Sequence, residues 1–180
     1  VYKRQEYDSC GMFLYGILLH YLLTGDRSFL EELWDAISKD AEWLCSNREA
    51  NGLIVADRSV WEEDLAHYTW TQGWAVLGLR AASKIALEMG NESLSGYWAS
   101  VAESIKDAIE EQIFSGFYGR SMESNTTADS STLILVAFGV VHPNSTRADS
   151  HYSKITDALS LGEGISRYVG DQYHTSEPPW

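Results

Sequence analysis

Two kinds of hydrophobic stretch alternate along the chain. Ser9 to Leu23 is apolar nearly all round, with Met12, Phe13, Leu14, Tyr15, Ile17, Leu18 and Leu19 in succession. This predicts a helix buried on every face. Ser28 to Leu44 follows as an amphipathic stretch: Phe29, Leu30, Leu33, Trp34, Ile37 and Ala41 share a face, while Glu31, Glu32, Asp35, Lys39 and Asp40 lie mainly elsewhere. Ser28 is a candidate N-cap, with Glu31 completing a capping box. The pattern then repeats. Leu65 to Met89 is rich in Trp70, Trp74, Val76, Leu77 and small residues, and Leu94 to Ile113 is amphipathic. Asp129 to Val141 is again apolar, with Asp129 as its expected cap, and Ser150 to Leu159 is polar on one side. No strand is needed, although the β-branched run from Leu133 to Val141 is ambiguous.

Buried-then-amphipathic pairs predict an all-α fold with an inner and an outer layer of helices. A solenoid and a closed toroid both satisfy the pattern. The connections are unequal. Inner-to-outer turns are short (Thr24-Gly25-Asp26, Gly90-Asn91, His142 to Ser145), whereas outer-to-inner loops are long: Cys45 to Asp64, Phe114 to Ala128 and Ser160 to Glu177. In an antiparallel array the long loops emerge at one end, where a site is expected. Isolated Gly73 and Gly78 within helices are expected to permit close packing.

Charge narrows the partner class. The 180 residues carry a formal charge of -13, which argues against nucleic acid and anionic membrane surfaces. A neutral or cationic ligand fits, and a solubility charge is the plainer account. No stretch reaches the ~20 apolar residues that span a bilayer. Cys10 and Cys45 are expected as two buried thiols, although both fall at the long-loop end and a bridge stays open. The histidines are scattered without metal-ligand spacing, and there is no CxxC, GxGxxG or phosphate loop.

Three segments carry candidate chemistry. Asp57 to Asp64 reads Asp-Arg-Ser-Val-Trp-Glu-Glu-Asp, which places four carboxylates beside the indole of Trp61 in a long loop. Cleavage of a glycosidic bond needs one carboxylic acid to protonate the leaving oxygen and a carboxylate on the opposite side. An apolar wall and a neighbouring carboxylate both raise a carboxyl pKa. The plainer reading is that Glu62, Glu63 and Asp64 favour the first turn of the next helix. The second segment is Arg167 to Tyr173 with Pro178-Pro179-Trp180. Its Arg and Asp171 suit sugar hydroxyls, or form a pair that orders a loop. The third is Glu6 to Gly11, for which Asp8 or Ser9 as an N-cap is sufficient.

In this order the three segments resemble glycoside hydrolase family 15, the glucoamylase-like group that includes glucodextranases and some trehalases. Ser59-Val60-Trp61-Glu62-Glu63 looks like its general-acid segment, and Tyr68-Thr69 with Trp74 to Leu77 like the inner helix that follows. Tyr7 to Gly11, Ala128 to Ser131, and Arg167-Tyr168 through Pro179-Trp180 match in character and order.

The resemblance implies part of an (α/α)6 barrel, with residues 1–180 one segment of a catalytic domain incomplete at both ends. It implies an inverting exo-hydrolase that releases glucose from α-linked glucosides, with Glu62 as general acid. Glu63, Arg167 and Trp61 would hold the sugar, and Asp8, Asp57, Asp171 and Trp180 are further candidates for binding or support. No metal or organic cofactor is required, and the partner is an α-glucoside oligosaccharide or polysaccharide. The general base is expected beyond the C-terminus, and exposed inner helices imply self-association. The alternative is a non-catalytic helical-toroid protein that binds glycans or a partner chain.

Overall fold

A computed structural model describes residues 6–171. The chain is all-α in character. Helices α1 (Asp8–Thr24), α2 (Arg27–Ser46), α3 (Thr69–Glu88) and α4 (Glu92–Gln112) form two antiparallel hairpins. A 3-10 turn (Ser130–Leu133) leads into the single-turn α5 (Ile134–Ala137), and α6 (Thr146–Leu159) follows. A two-residue ribbon pairs β1 (Ser160–Leu161) with β2 (Gly164–Ile165), where no strand is expected from the sequence.

α3 is the centre. It is buried on nearly all sides, from Thr71 to Leu79, at Ala81, Ala82 and Ser83, and again at Ile85 and Ala86. α1 packs along one flank, and α4 presents Trp98, Val101, Ile105 and Ile109 to another. Gly73 faces Ile134 and Leu135, so α5 reaches α3 only because no side chain intervenes. The inner and outer layers read from the sequence are therefore present, with α2, α4 and α6 amphipathic.

Several local expectations are corrected. α1 is not buried on every face: Leu14, Ile17 and Leu18 are buried, but Leu22 is 66% and Leu23 78% exposed. An all-round apolar pattern shows what a helix can bury, while its neighbours decide which faces are covered. The cap of α2 is Asp26, whose carboxylate takes the Phe29 N–H and the Ser28 hydroxyl; Glu31 pairs with Arg27 instead of closing a capping box. α3 begins at Thr69, not Leu65, because residues 66 and 68 are held in extended bridges to Asp57 and Ser121. The stretch from Asp129 is a 3-10 turn and one α-turn rather than a full helix, ending before Gly139 at φ 75°. α6 starts at Thr146 with Ser145 as its cap, and α1 has no side-chain cap at all. Cys10 and Cys45 are unbridged thiols.

Candidate active site

The N-termini of α1 and α3 and the C-termini of α2 and α4 face one end of the molecule, and the three long loops gather there. Main-chain hydrogen bonds stitch them together. Met122 N–H donates to His67 C=O at 3.1 Å and Thr69 N–H to Arg120 C=O at 3.0 Å, joining the first loop to the second. Ser130 N–H donates to Arg167 C=O at 2.7 Å and Val169 N–H to Ala128 C=O at 3.0 Å, joining the second to the third. Gly119 sits so close to the Asn125 backbone that no Cβ fits, which makes the second loop a tight fold. His67 adds a side-chain clasp: Nδ1 lies 2.6 Å from Glu123 and Nε2 3.2 Å from Glu49.

Within the first loop, residues 58–65 form a closed excursion. Asp57 and Ala66 pinch its base through two reciprocal main-chain hydrogen bonds of 3.0 Å. Such a short closed path forces unusual backbone. Ser59 (φ 49°) and Glu62 (φ 54°) both adopt left-handed geometry, which costs on the order of 1 kcal/mol each for a residue with a Cβ. Glu62 N–H donates to Arg58 C=O at 3.0 Å, and the Arg58 guanidinium donates to the Glu63 carbonyl. The first-turn reading of Glu62, Glu63 and Asp64 is overturned: they stand on this strained excursion, several residues short of α3.

The side chains of the excursion converge on groups from the other two loops. Trp61 donates its indole N–H to Asp129 at 2.7 Å, and its ring stands 5.5 Å from that of Tyr168. The Arg167 guanidinium lies 5.8 Å from the same indole. Glu63 accepts from Arg120 Nη2 at 2.6 Å and from the Tyr168 hydroxyl. Arg120 is stacked 4.0 Å from the Tyr168 ring, with its Nε 3.5 Å from Asp129. Burial works against the Arg120 charge, but the hydrogen bond it donates to Glu63 and the charges around it hold the guanidinium above its ordinary range. Burial pushes the Asp129 carboxyl up, against the hydrogen bonds from Ser131 and Trp61.

Trp61, Glu63 and Arg167 are thus brought near one another, with Glu62 half-buried on the same turn. Asp171 pairs with Arg167 at 2.6 Å, the loop-ordering role foreseen as its plainer alternative. Asp8 and Asp57 belong to a separate buried cluster. Asp8 takes the Trp70 indole N–H at 2.7 Å. Asp57 is fully buried, accepts from Tyr7 N–H at 2.9 Å, and lies 2.9 Å from the Thr71 hydroxyl. Burial, aided by the charge of Asp8, pushes its carboxyl up to about 7 against those hydrogen bonds. Its place is beneath the excursion, supporting it. Trp180, with Pro178 and Pro179, lies outside the described residues.

Arg120, Asp129 and Tyr168 were not singled out as site residues by sequence reasoning. Asp129 reads as a cap and as part of the matching Ala128–Ser131 segment, with no site role attached, and Arg120 stands in no motif. The one signal available is that Arg120 is the sole lysine or arginine between Lys106 and Arg147. Beside the excursion, a cleft of about 420 Å3 is lined by Glu63, Asp64, Arg120, Ser124, Thr127 and Tyr168, with Val169 and Gly170. Carboxylates, hydroxyls and a guanidinium supply the donors and acceptors that a polyol needs. Among the described residues no cluster of His, Cys, Asp or Glu has the makings of a metal site.

No family model matches the chain. It is 27% identical over 95% of its length to an uncharacterised glycosyl hydrolase of Methanocaldococcus jannaschii, spanning 28% of that protein. It is 22% identical over 99% of its length to Trehalase 2 of Sulfolobus acidocaldarius, spanning 31% of it. Among solved structures, a wild-type glycosidase superposes with TM-score 0.78 at 22% identity, over 92% of this chain and 43% of that one. A bacterial glucoamylase complexed with acarbose superposes with TM-score 0.71 at 17% identity, over 87% of this chain and 27% of that one. The chain therefore spans about a third or less of the length of the curated relatives it matches. The fold is that of part of a helical toroid, and along nearly its whole length the chain resembles the glucoamylase-like glycoside hydrolases.

Proposed function

We propose that the protein is a glycoside hydrolase that removes glucose from α-linked glucosides with inversion, and that residues 1–180 form one segment of its helical-toroid catalytic domain. The observation that carries this reading is the strained excursion 58–65. It presents two adjacent carboxylates with an indole, at the loop end of an inner helix, where polar groups of two other loops converge. Backbone strain of this kind persists where surrounding structure over-determines it, and it clusters at functional sites. The names of the relatives, glycosyl hydrolase and trehalase, support the same class.

In this reading Glu62 is the general acid. It gives its proton to the glycosidic oxygen as the bond from that oxygen to the anomeric carbon breaks. Water enters from the opposite face, and a carboxylate outside this segment removes its proton, so the released sugar has the inverted configuration. Glu63 is locked by Arg120 and Tyr168, so it acts as a fixed acceptor for sugar hydroxyls. Trp61 and Arg167 line the same wall, and Asp8 and Asp57 support it from below.

The test is Glu62→Gln, which keeps shape and removes the transferable proton. Hydrolysis falls by about 1,000-fold or more while the affinity for glucoside is retained. Hydrolysis at the wild-type rate overturns the assignment. Binding without turnover by the unaltered protein points instead to a glycan-binding function.

A further inference from the structure

We infer that Asp129 is a positioning residue of this site, resting on the reading of Glu62 above. Its carboxylate locks the excursion 58–65 to the second loop through the Trp61 indole, and its backbone is bridged to the third. The two oxygens have different work. Oδ1 accepts from Ser131 N–H at 2.9 Å and from the Ser131 hydroxyl at 2.7 Å, which is ordinary capping of the 3-10 turn. A Ser, Thr or Asn would cap as well without burying a charge. Yet Asp129 is fully buried, and burial raises the free energy of a carboxylate unless every oxygen is satisfied.

The second oxygen accounts for the carboxylate. Oδ2 accepts from Trp61 Nε1 at 2.7 Å and faces Arg120 Nε at 3.5 Å. Arg120 in turn holds Glu63, and the Asp129 backbone is bridged to Tyr168. One buried residue therefore touches all three loops, the first two through its carboxylate and the third through its backbone, and Trp61 is covalently adjacent to Glu62. Glu62 holds an unfavourable φ of 54°, so the excursion relaxes unless something outside it fixes both flanks. Asp57 and Ala66 fix its base, and Asp129 fixes its tip.

The test is hydrogen exchange by NMR on the full chain, read at the Trp61 indole N–H and the Glu62 amide. Asp129→Asn keeps the size and the cap but replaces Oδ2 by a donor that opposes the indole. Asp129→Ser keeps the cap and removes Oδ2 altogether. Both changes speed exchange at the two reporters at least tenfold, while amides of α4 such as Ile105 stay within threefold. Trp61→Phe speeds the Glu62 amide similarly, and the double variant is no faster than either single, because both delete one interaction. Exchange at Glu62 unchanged within threefold overturns the proposal. So does a rise shared equally by Ile105, and so does full multiplicativity of the two changes. Glu62→Gln assayed alongside keeps the readings apart. If it abolishes hydrolysis while Asp129→Ser leaves the excursion unaltered, the positioning role alone fails. If it leaves hydrolysis intact, the general-acid reading fails.

Discussion

Gly11 of α1 and Gly78 of α3 stand back to back where the two helices cross: a Cβ built on Gly78 lies 2.5 Å from Gly11 Cα. The atom met is backbone, so no side chain can move aside, and the helices must separate. Separation would disturb the Asp8–Trp70 hydrogen bond at the loop end of the same pair. Gly78→Ala is therefore expected to destabilise by about 2 kcal/mol or more, on the order of 4–8 °C in Tm. Gly16→Ala, in α1 with open space around it, is expected to be neutral or stabilising. Thermal unfolding of the two variants checks the pair. Equal behaviour would contradict the close crossing.

Asp57 makes stability depend on pH. Its carboxyl titrates near 7 in the folded chain, against an ordinary value of 3.8. Between these values the folded state keeps a proton that the unfolded state has released, so stability falls as pH rises from about 4 to about 7. The ceiling on that loss is about 4 kcal/mol. Asp57→Asn mimics the protonated group and is expected to remove this slope. Denaturant midpoints for both proteins across pH 4–8 check it. A parallel course for the two would refute the assignment.

His151 works in the opposite direction. It is fully buried, and burial pushes its imidazole down to about 4. Tyr118 N–H points at Nδ1 and the Thr132 hydroxyl lies 3.3 Å from Nε2, an arrangement suited to the neutral ring. Below about 6.5 the unfolded chain takes up a proton that the folded chain refuses, so stability is lost as pH falls toward 4, by up to about 3 kcal/mol. The histidine C–H resonances followed by NMR should show no titration of His151 above pH 5. A midpoint near 6.5 would overturn its neutral burial.

Arg120 reaches both Glu63 and Asp129. Arg120→Met preserves much of the apolar stem but leaves two shielded carboxylates without it, and is expected to cost about 3 kcal/mol. The loss should shrink at low pH, because burial pushes the Asp129 carboxyl up toward its neutral form. Chemical denaturation at pH 7 and pH 4 tests both statements.

The layered helical fold was legible because a pattern of period 3.6 survives whatever covers it. The acid excursion was legible because a dense cluster of carboxylates beside an indole is uncommon in a turn. The details that failed share one cause: they depended on contacts distant in sequence. Leu65 to Tyr68 carry helical residue types, yet the bridges from Asp57 and Ser121 hold them extended. Leu22 and Leu23 continue the apolar pattern of α1, yet no described element covers them. Asp129 announces its capping of Ser131 locally, but its second oxygen serves Trp61, 68 residues away, and no local pattern records that. Arg120 is hidden for the same reason. Its partners Glu63 and Tyr168 lie on loops that meet only after the helices have packed.

The central claim is an inverting acid–base cleavage that uses Glu62. The most direct measurement is a proton NMR time course with maltose and trehalose, run on this chain and on the longest natural polypeptide that contains it. The anomeric signals report cleavage and configuration together. Inversion predicts β-glucose from the non-reducing end of maltose and equal first amounts of α- and β-glucose from trehalose, whose leaving glucose keeps its α configuration, with no release by the Glu62→Gln variant. Release of α-glucose alone from trehalose, or undiminished release by Glu62→Gln, would contradict it.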